Sequence, residues 1–249
     1  MMNLSMLQSL SSEQRSGLLA KLEAEAERRR STNLIERIYP ETGPLGRDKY
    51  GKFLKFFEAG LTETERAIIA ANRVGKSFGV GGYETTLHLT GEYPDWWKGR
   101  RFDKPISAWA AGDTSETTRD IVQKILTGVG GEREGGTLGT GLIPLRAFIG
   151  EPSRRSGVAG AFDTLAVRHA SGGVSTLGFK SYDQGRAKFQ GTSKHLVWLD
   201  EEPPIDVYSE CLTRTLDCNG MVLCTFTPLS GISEVVMKFM PHLDPTQAE

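Results

Sequence analysis

The chain has 249 residues, of which 38% are hydrophobic and 24% are charged, and its formal net charge is −1. The length and composition fit one large α/β domain or a core with appended segments. The charge balance excludes a generally basic nucleic-acid-binding protein, so any contact with DNA must come from local basic patches. The three cysteines match no zinc-binding spacing, and no stretch of the sequence is long and apolar enough to span a membrane.

Helical and strand patterns alternate along most of the chain. In the first half they predict a helix over 11–30, a helix over 48–58, a strand over 66–71, a helix over 77–89, a strand over 106–111 and a helix over 115–126. In the second half they predict a β-hairpin with strands over 161–168 and 173–180, a strand over 195–199, a helix over 206–216, a strand over 221–226 and a helix over 233–240. This order predicts an α/β fold, with a mostly parallel sheet flanked by helices and an added β-hairpin.

The strand over 66–71 leads into a phosphate-binding loop. Gly75, Lys76 and Ser77 match the end of the pattern G-x-x-x-x-G-K-[ST], in which the lysine reaches the β- and γ-phosphates and the hydroxyl binds Mg²⁺. Ala70 stands where the pattern has its first glycine, so we expect residue 70 not to need a positive φ. The predicted ATP-binding residues are those of the loop and the first helical turn: Ala71, Asn72, Arg73, Val74, Gly75, Lys76, Ser77 and Phe78.

A second motif follows the apolar strand over 195–199, which we expect to neighbour the strand of the phosphate loop. Asp200 emerges at the carboxyl end of this strand and is predicted to hold Mg²⁺ together with Ser77. Glu201 is predicted to orient and deprotonate the attacking water, and Glu202 is the alternative. Small-molecule kinases with a phosphate loop usually lack a glutamate directly after the metal-binding aspartate, whereas ATPases that perform mechanical work tend to have one. The motif therefore favours ATP hydrolysis coupled to motion.

Two threonines end the strand over 221–226. Thr225 and Thr227 precede Pro228, which stops the strand and stiffens its exit. Hydroxyls at this position can sense whether the γ-phosphate is present and pass the nucleotide state to the following segment. We therefore predict a coupling role for Thr225 and Thr227, and which hydroxyl is the key one stays open.

Together, the segments 71–77, 195–202 and 225–228 resemble the large terminase subunit of tailed bacteriophages, in its N-terminal ATPase domain. The resemblance runs from about residue 52 to residue 240. It implies a P-loop NTPase fold of the ASCE (RecA-like) type, in which ATP hydrolysis drives double-stranded viral DNA into a procapsid. Another nucleic-acid-translocating ATPase such as a helicase is the alternative. We divide the chain accordingly into an N-terminal helical arm or lid, 1–46, and a P-loop ATPase domain, 47–249.

The resemblance also implies cofactors and partners. The cofactors are ATP and Mg²⁺. The partners are double-stranded DNA, the portal protein, the small terminase subunit and further copies of the same chain in a ring, which by family resemblance is a pentamer. The implied location is the host cell cytoplasm, with transient attachment to the viral procapsid, absence from the mature virion and no membrane association.

Individual residues match roles that the family assigns. Arg73 matches the loop arginine that contacts the γ-phosphate region. Arg186 lies shortly before the strand that ends in Asp200, where some relatives have an arginine that completes the site of the next subunit; Lys188 and Arg168 are the alternatives.

Two further expectations concern the adenine base and the nuclease. Phe56, Phe57 and Glu58 are candidates to cover the base, although aromatic residues at helical spacing more often belong to a core. Large terminases usually carry a C-terminal nuclease domain of ribonuclease-H-like fold. The motifs end close to Glu249, which leaves no room for that domain, so we expect no nuclease activity from this chain.

Overall fold

The computed structural model describes residues 11–130, 137–229 and 231–243. Its strands are β1 (Glu65–Ile69), β2 (Ser107–Gly112), β3 (Phe148–Arg154), β4 (Phe162–Arg168), β5 (Val174–Ser181), β6 (Leu196–Asp200) and β7 (Met221–Phe226). Its longer helices are α1 (Ser12–Thr32), α2 (Gly51–Ala59), α3 (π-helical Lys76–Gly82, then α-helical Tyr83–Thr90), α4 (Ser115–Thr117, π-helical Thr118–Gln123, then Lys124–Thr127), α5 (Ile205–Leu216) and α6 (Glu234–Phe239).

The strands form one seven-stranded sheet in the order β1-β7-β6-β2-β5-β4-β3. The first five strands of this order run parallel, whereas β4 pairs antiparallel with both β5 and β3. The mostly parallel sheet and the β4–β5 hairpin that the sequence predicts are therefore confirmed. Strand β3 was not predicted, because Gly150 and Pro152 interrupt it and its side chains lack a buried face. Its position at the sheet edge tolerates the missing N–H of the proline.

The two central strands β6 and β7 are buried on both faces, as expected of parallel strands covered by helices. Successive side chains of a strand point to opposite faces. Trp198 accordingly joins the hydrophobic cluster that contains α3, whereas Val197 and Leu199 join the cluster that contains α5 and α6. Both faces of the sheet are thus held by helices, and the strand ends between them are fixed in place.

The N-terminal residues reach the phosphate-loop helix. The backbone N–H of Ser11 donates to Gln14 and that of Gln14 donates to the Ser11 hydroxyl, so the two residues form a capping box at the start of α1. Further along, Ile38 and Tyr39 are buried in the same core cluster as α3. The Tyr39 hydroxyl donates to the carbonyl of Gly79, at 2.6 Å. The division of the chain at residue 46 stays a prediction, and these contacts show that residues on its N-terminal side pack into the main core.

No helix within the described ranges combines the length and the apolarity that crossing a lipid bilayer requires.

Candidate nucleotide-binding site

Three strand ends meet at one edge of the sheet. The loop that contains Arg73 follows β1. Thr225 and Thr227 lie at the carboxyl end of β7, and Asp200 and Glu201 lie at that of β6. The register pairs Ile69 with Phe226 and Asp200 with Thr225, which brings these ends level. The sequence argument placed the metal-binding aspartate on a strand neighbouring that of the loop. This detail is wrong, because β7 lies between β1 and β6 and its hydroxyls stand between the loop and the carboxylates.

The phosphate loop owes its shape to two residues with positive φ. Arg73 has φ 65° and Gly75 has φ 85°, whereas Ala70 is not among the residues with positive φ. The expectation for residue 70 is thus confirmed, and an alanine can replace the usual glycine there without strain. Backbone turns through the left-handed region point successive N–H groups inward and form anion-binding concavities. For a residue other than glycine this conformation costs on the order of 1–3 kcal/mol, and such strain concentrates at functional sites.

Lys76 begins α3 and is almost fully buried. Its Nζ donates to Thr227 Oγ1 at 2.8 Å and lies 4.0 Å from Glu201 Oε1. The Thr227 hydroxyl in turn lies 2.8 Å from the carbonyl oxygen of Ala70 and 2.7 Å from Asn72 Oδ1, either of which can accept its proton. One threonine thereby joins the lysine, the start of the loop and the end of β7.

Asp200, at the end of β6, is buried, with 2% of its surface exposed. Burial raises the pKa of its carboxyl group to about 6, although hydrogen bonds from Ser77 and Thr225 oppose the shift. The Thr225 bond, from Oγ1 to Asp200 Oδ1, is 2.7 Å long. A buried carboxylate whose charge is disfavoured, beside a hydroxyl on the phosphate-loop helix, fits a divalent cation with oxygen ligands.

Ser77 and Asp200 are the residues that would hold this cation. Within the described ranges no cluster of three or more histidine, cysteine or acidic residues could hold a metal ion. Mg²⁺ does not require one, because it commonly binds through one or two protein oxygens plus phosphate oxygens and water.

Glu201 leaves β6 through a left-handed backbone turn, with φ 62°. Its N–H donates to the carbonyl of Thr225 at 3.0 Å. The hydroxyl of buried Tyr182 lies 3.0 and 3.1 Å from the carbonyl oxygens of Asp200 and Glu201. This turn carries the Glu201 carboxylate to Lys76, and 40% of that side chain stays exposed. Glu202, the alternative base, instead has one buried carboxylate oxygen without a hydrogen bond in the described part of the chain.

Several predicted residues lie away from this centre. Arg186 follows β5, where its Nε binds Glu210 Oε2 on α5 at 2.8 Å, and 56% of its side chain is exposed. Phe78 packs its ring against the core cluster. Phe56 and Phe57 are buried in that core, so packing explains the aromatic stripe of α2.

The structure adds a cavity beside the loop that sequence reasoning missed. It has a volume of about 590 Å³ and is lined by Tyr50 and Phe53 at the start of α2, by Val74 of the loop and by nearby lysines. The rings of Tyr50 and Phe53 are 5.7 Å apart. Both residues lie within the predicted helix over 48–58, but nothing in the sequence shows that this end of the helix meets the loop.

This strand order, with β7 between the loop strand and the aspartate strand, defines a P-loop NTPase fold of the ASCE type. The family described as the N-terminal part of the T4-like-virus type of terminase large subunit matches residues 67–248. The chain is also 38% identical, over 258 residues, to the large terminase subunit of Salmonella phage P22. The chain therefore belongs to the large terminase subunit family.

The matches cover most of this chain but only part of each relative. The alignment with the phage P22 protein covers 97% of this chain and 49% of that protein, so the chain spans about half the length of the curated relative it matches. Two structures of the large terminase from a thermophilic bacteriophage, one of them in complex with ADP, align over 72% of this chain and 38% of theirs. Their sequence identity is 12% and their TM-scores are 0.48 and 0.47, which is too distant to support an argument about individual residues.

Proposed function

We propose that this chain is the motor domain of a viral DNA-packaging machine, in which ATP hydrolysis drives double-stranded DNA into a procapsid. One observation carries the proposal: Lys76 of the phosphate loop contacts both Glu201 and Thr227. A phosphate-binding lysine, an acidic residue and a strand-end hydroxyl are thus already assembled, in a chain of the terminase family. A helicase is not favoured, because the family and the curated relative are both terminases.

Each group at this edge has a chemical role in hydrolysis. The N–H groups of the loop and Lys76 bind the β- and γ-phosphates, and Arg73 stabilises charge that develops on the γ-phosphate. Glu201 accepts a proton from the attacking water. Ser77 and Asp200 would hold Mg²⁺, which would supply positive charge that offsets the negative charge of the phosphates.

The two threonines take different parts in this scheme. Thr225 is fully buried and donates a hydrogen bond to Asp200, so we assign it to holding this predicted Mg²⁺ ligand in place. Thr227 bonds Lys76, the residue that must turn to a bound γ-phosphate, and it is followed directly by Pro228 and the segment that leads to α6. We therefore assign the coupling role to Thr227.

The partners and location follow from the family and belong to the same proposal. They are double-stranded DNA, the portal protein, the small terminase subunit and a ring of identical chains, a pentamer by family resemblance, in the host cell cytoplasm and transiently on the procapsid. The test is a packaging reaction in which the protein that contains this chain, procapsids of its own phage, DNA and ATP are mixed and DNase-resistant DNA is measured. Protected DNA that depends on ATP and on Lys76 supports the proposal, and its absence with active procapsids refutes it.

We assign Arg186 to the site of the neighbouring subunit. In an assembled ring, Arg186→Ala should lower ATP turnover on the order of 10³-fold, because such an arginine stabilises charge on the transferred phosphoryl group. Arg214→Ala is the matched control, since Arg214 also binds Glu210, at 3.1 Å. A ring that mixes Arg186→Ala and Glu201→Ala chains should regain turnover at interfaces with both intact residues. Equal turnover of the two arginine variants, or no regain in mixed rings, contradicts the assignment.

We further propose that the cavity beside Val74 holds the adenine base. Replacing the Phe53 ring by Ala should raise the dissociation constant for ATP about 10-fold, which corresponds to about 1.4 kcal/mol of lost stacking. Calorimetric titration measures this, with tripolyphosphate as the control ligand because it lacks a base. A variant that loses affinity for both ligands alike, or for neither, argues against this base site.

A further inference from the structure

A chain of two hydrogen bonds leads from the hydrophobic core to the predicted metal ligand. The indole Nε1 of Trp198 donates to Thr225 Oγ1 at 2.8 Å, and that hydroxyl donates to Asp200 Oδ1 at 2.7 Å. The Trp198 and Thr225 side chains are fully buried, and Asp200 is 2% exposed. Trp198 is therefore connected to the site although it lies two residues before Asp200 and faces the core cluster that contains α3.

The direction of these bonds is fixed by chemistry. An indole N–H can only donate, and an ionised carboxylate can only accept. The single hydroxyl proton of Thr225 is therefore free for Asp200, while one of its oxygen lone pairs receives the indole. Because water cannot compete at a fully buried position, the indole sets which way the hydroxyl points. The hydroxyl in turn holds one oxygen of the carboxylate.

The indole is itself held by the phosphate-loop helix. Gly81, in the π-helical part of α3, faces the Trp198 ring, and a Cβ at residue 81 would overlap Nε1. Ser77 lies in the same π-helical segment, four residues earlier. Helix α3, which carries the predicted metal ligand Ser77, thus packs directly against Trp198. The Trp198 indole in turn orients the hydroxyl that holds Asp200, the other predicted ligand.

We propose that Trp198 is a positioning residue for the Mg²⁺ site, acting through Thr225 to hold the Asp200 carboxylate beside Ser77. This inference rests on the proposed function, since it concerns Mg²⁺ bound together with a nucleotide. It goes beyond that function by giving a core aromatic residue a role in metal binding. A purely structural indole would affect stability but not the dependence of nucleotide binding on Mg²⁺.

The test is the affinity of the chain for ADP, titrated by calorimetry with and without Mg²⁺. Trp198→Phe keeps an aromatic ring and removes the N–H group. It should leave ADP affinity without Mg²⁺ within about 2-fold of the unsubstituted chain. The Mg²⁺ concentration that gives half of the binding enhancement should rise about 10-fold, the usual loss when a residue that orients a metal ligand is removed. Trp109→Phe is the matched control on β2, because within the described ranges the Trp109 N–H makes no hydrogen bond.

The outcomes separate this inference from the function on which it rests. If the unsubstituted chain binds ADP with the same affinity with and without Mg²⁺, the proposed metal site and this inference both fail. If that chain depends on Mg²⁺ and Trp198→Phe shows the same dependence, only this inference fails. Should Trp198→Phe not fold, Thr225→Val and Thr225→Ser replace it: loss in the valine variant with rescue in the serine variant supports the inference, and equal Mg²⁺ dependence overturns it.

Discussion

Glu201→Gln should bind Mg²⁺ and ATP and fail to hydrolyse it, with turnover at least about 100-fold below that of the unsubstituted chain. The glutamine keeps the shape of the side chain and its reach towards Lys76, which lies 4.0 Å from the carboxylate. Glutamine cannot accept the proton of the attacking water, so the variant should still bind the nucleotide but should not hydrolyse it. Single-turnover hydrolysis measures the chemical step, and nucleotide titration measures the binding.

The neighbouring residue supplies the control for this result. Glu202→Gln makes the same chemical change one position along the chain, at the residue that the sequence leaves as the alternative base. We expect its turnover to stay within about 10-fold of that of the unsubstituted chain. Loss of a general base lowers the rate at least about 100-fold, so this smaller change would show that Glu202 is not the base. The reverse pattern, with activity lost in the Glu202 variant and kept in the Glu201 variant, would move the catalytic role to Glu202.

The second large effect concerns a buried ion pair that joins the two elements flanking the phosphate loop. Arg66 on β1 donates to Glu84 on α3 through both terminal nitrogens, at 2.6 and 3.2 Å. Glu84 is fully buried, and His88 Nε2 lies 3.1 Å from it. Burial alone would raise the pKa of Glu84, but Arg66 and His88 outweigh this effect and lower the pKa.

Glu84→Ala should lower the free energy of unfolding by about 3–5 kcal/mol, because it leaves the Arg66 guanidinium buried without its counter-charge. Urea denaturation at neutral pH measures the change. Glu92→Ala is the control, since it breaks a pair of similar length, 2.6 Å to Arg146, in which both side chains are exposed. Such surface pairs contribute about 0–1 kcal/mol. Equal losses in the two variants would show that the buried pair does not fix β1 against α3.

Most of the fold could be predicted from the sequence because its elements carry strong local patterns. Apolar runs such as that of β7 were placed at their observed bounds, and the hairpin was recognised from its turn. Strand β3 carries no such pattern, since Gly150 and Pro152 break it, and among the described strands it pairs with β4 alone, at the sheet edge. Because β3 is stabilised by its pairing with β4 and not by a pattern of its own, the segment carries no local signal of a strand.

In the candidate site, too, some features could be predicted from local sequence and others could not. Lys76 and Asp200 could be predicted because each stands at a fixed position in a short motif. The insertion of β7 between their strands is implied by the family resemblance and not by the motifs themselves. The separate partners of Thr225 and Thr227 could not be predicted, because they depend on how the strands pair. The link from Trp198 to Asp200 also arises only when β6 and β7 pair.

The central claim is that the three strand ends form one site that hydrolyses ATP. The most direct test is the release of inorganic phosphate from ATP by the purified chain in the presence of Mg²⁺, measured beside a folded Lys76→Ala variant. We predict phosphate release that depends on Mg²⁺ and rises per chain with protein concentration, because in the proposed ring the next subunit supplies Arg186. Lys76→Ala should fall to background. Undiminished release by Lys76→Ala, with its fold confirmed by circular dichroism, would contradict the account.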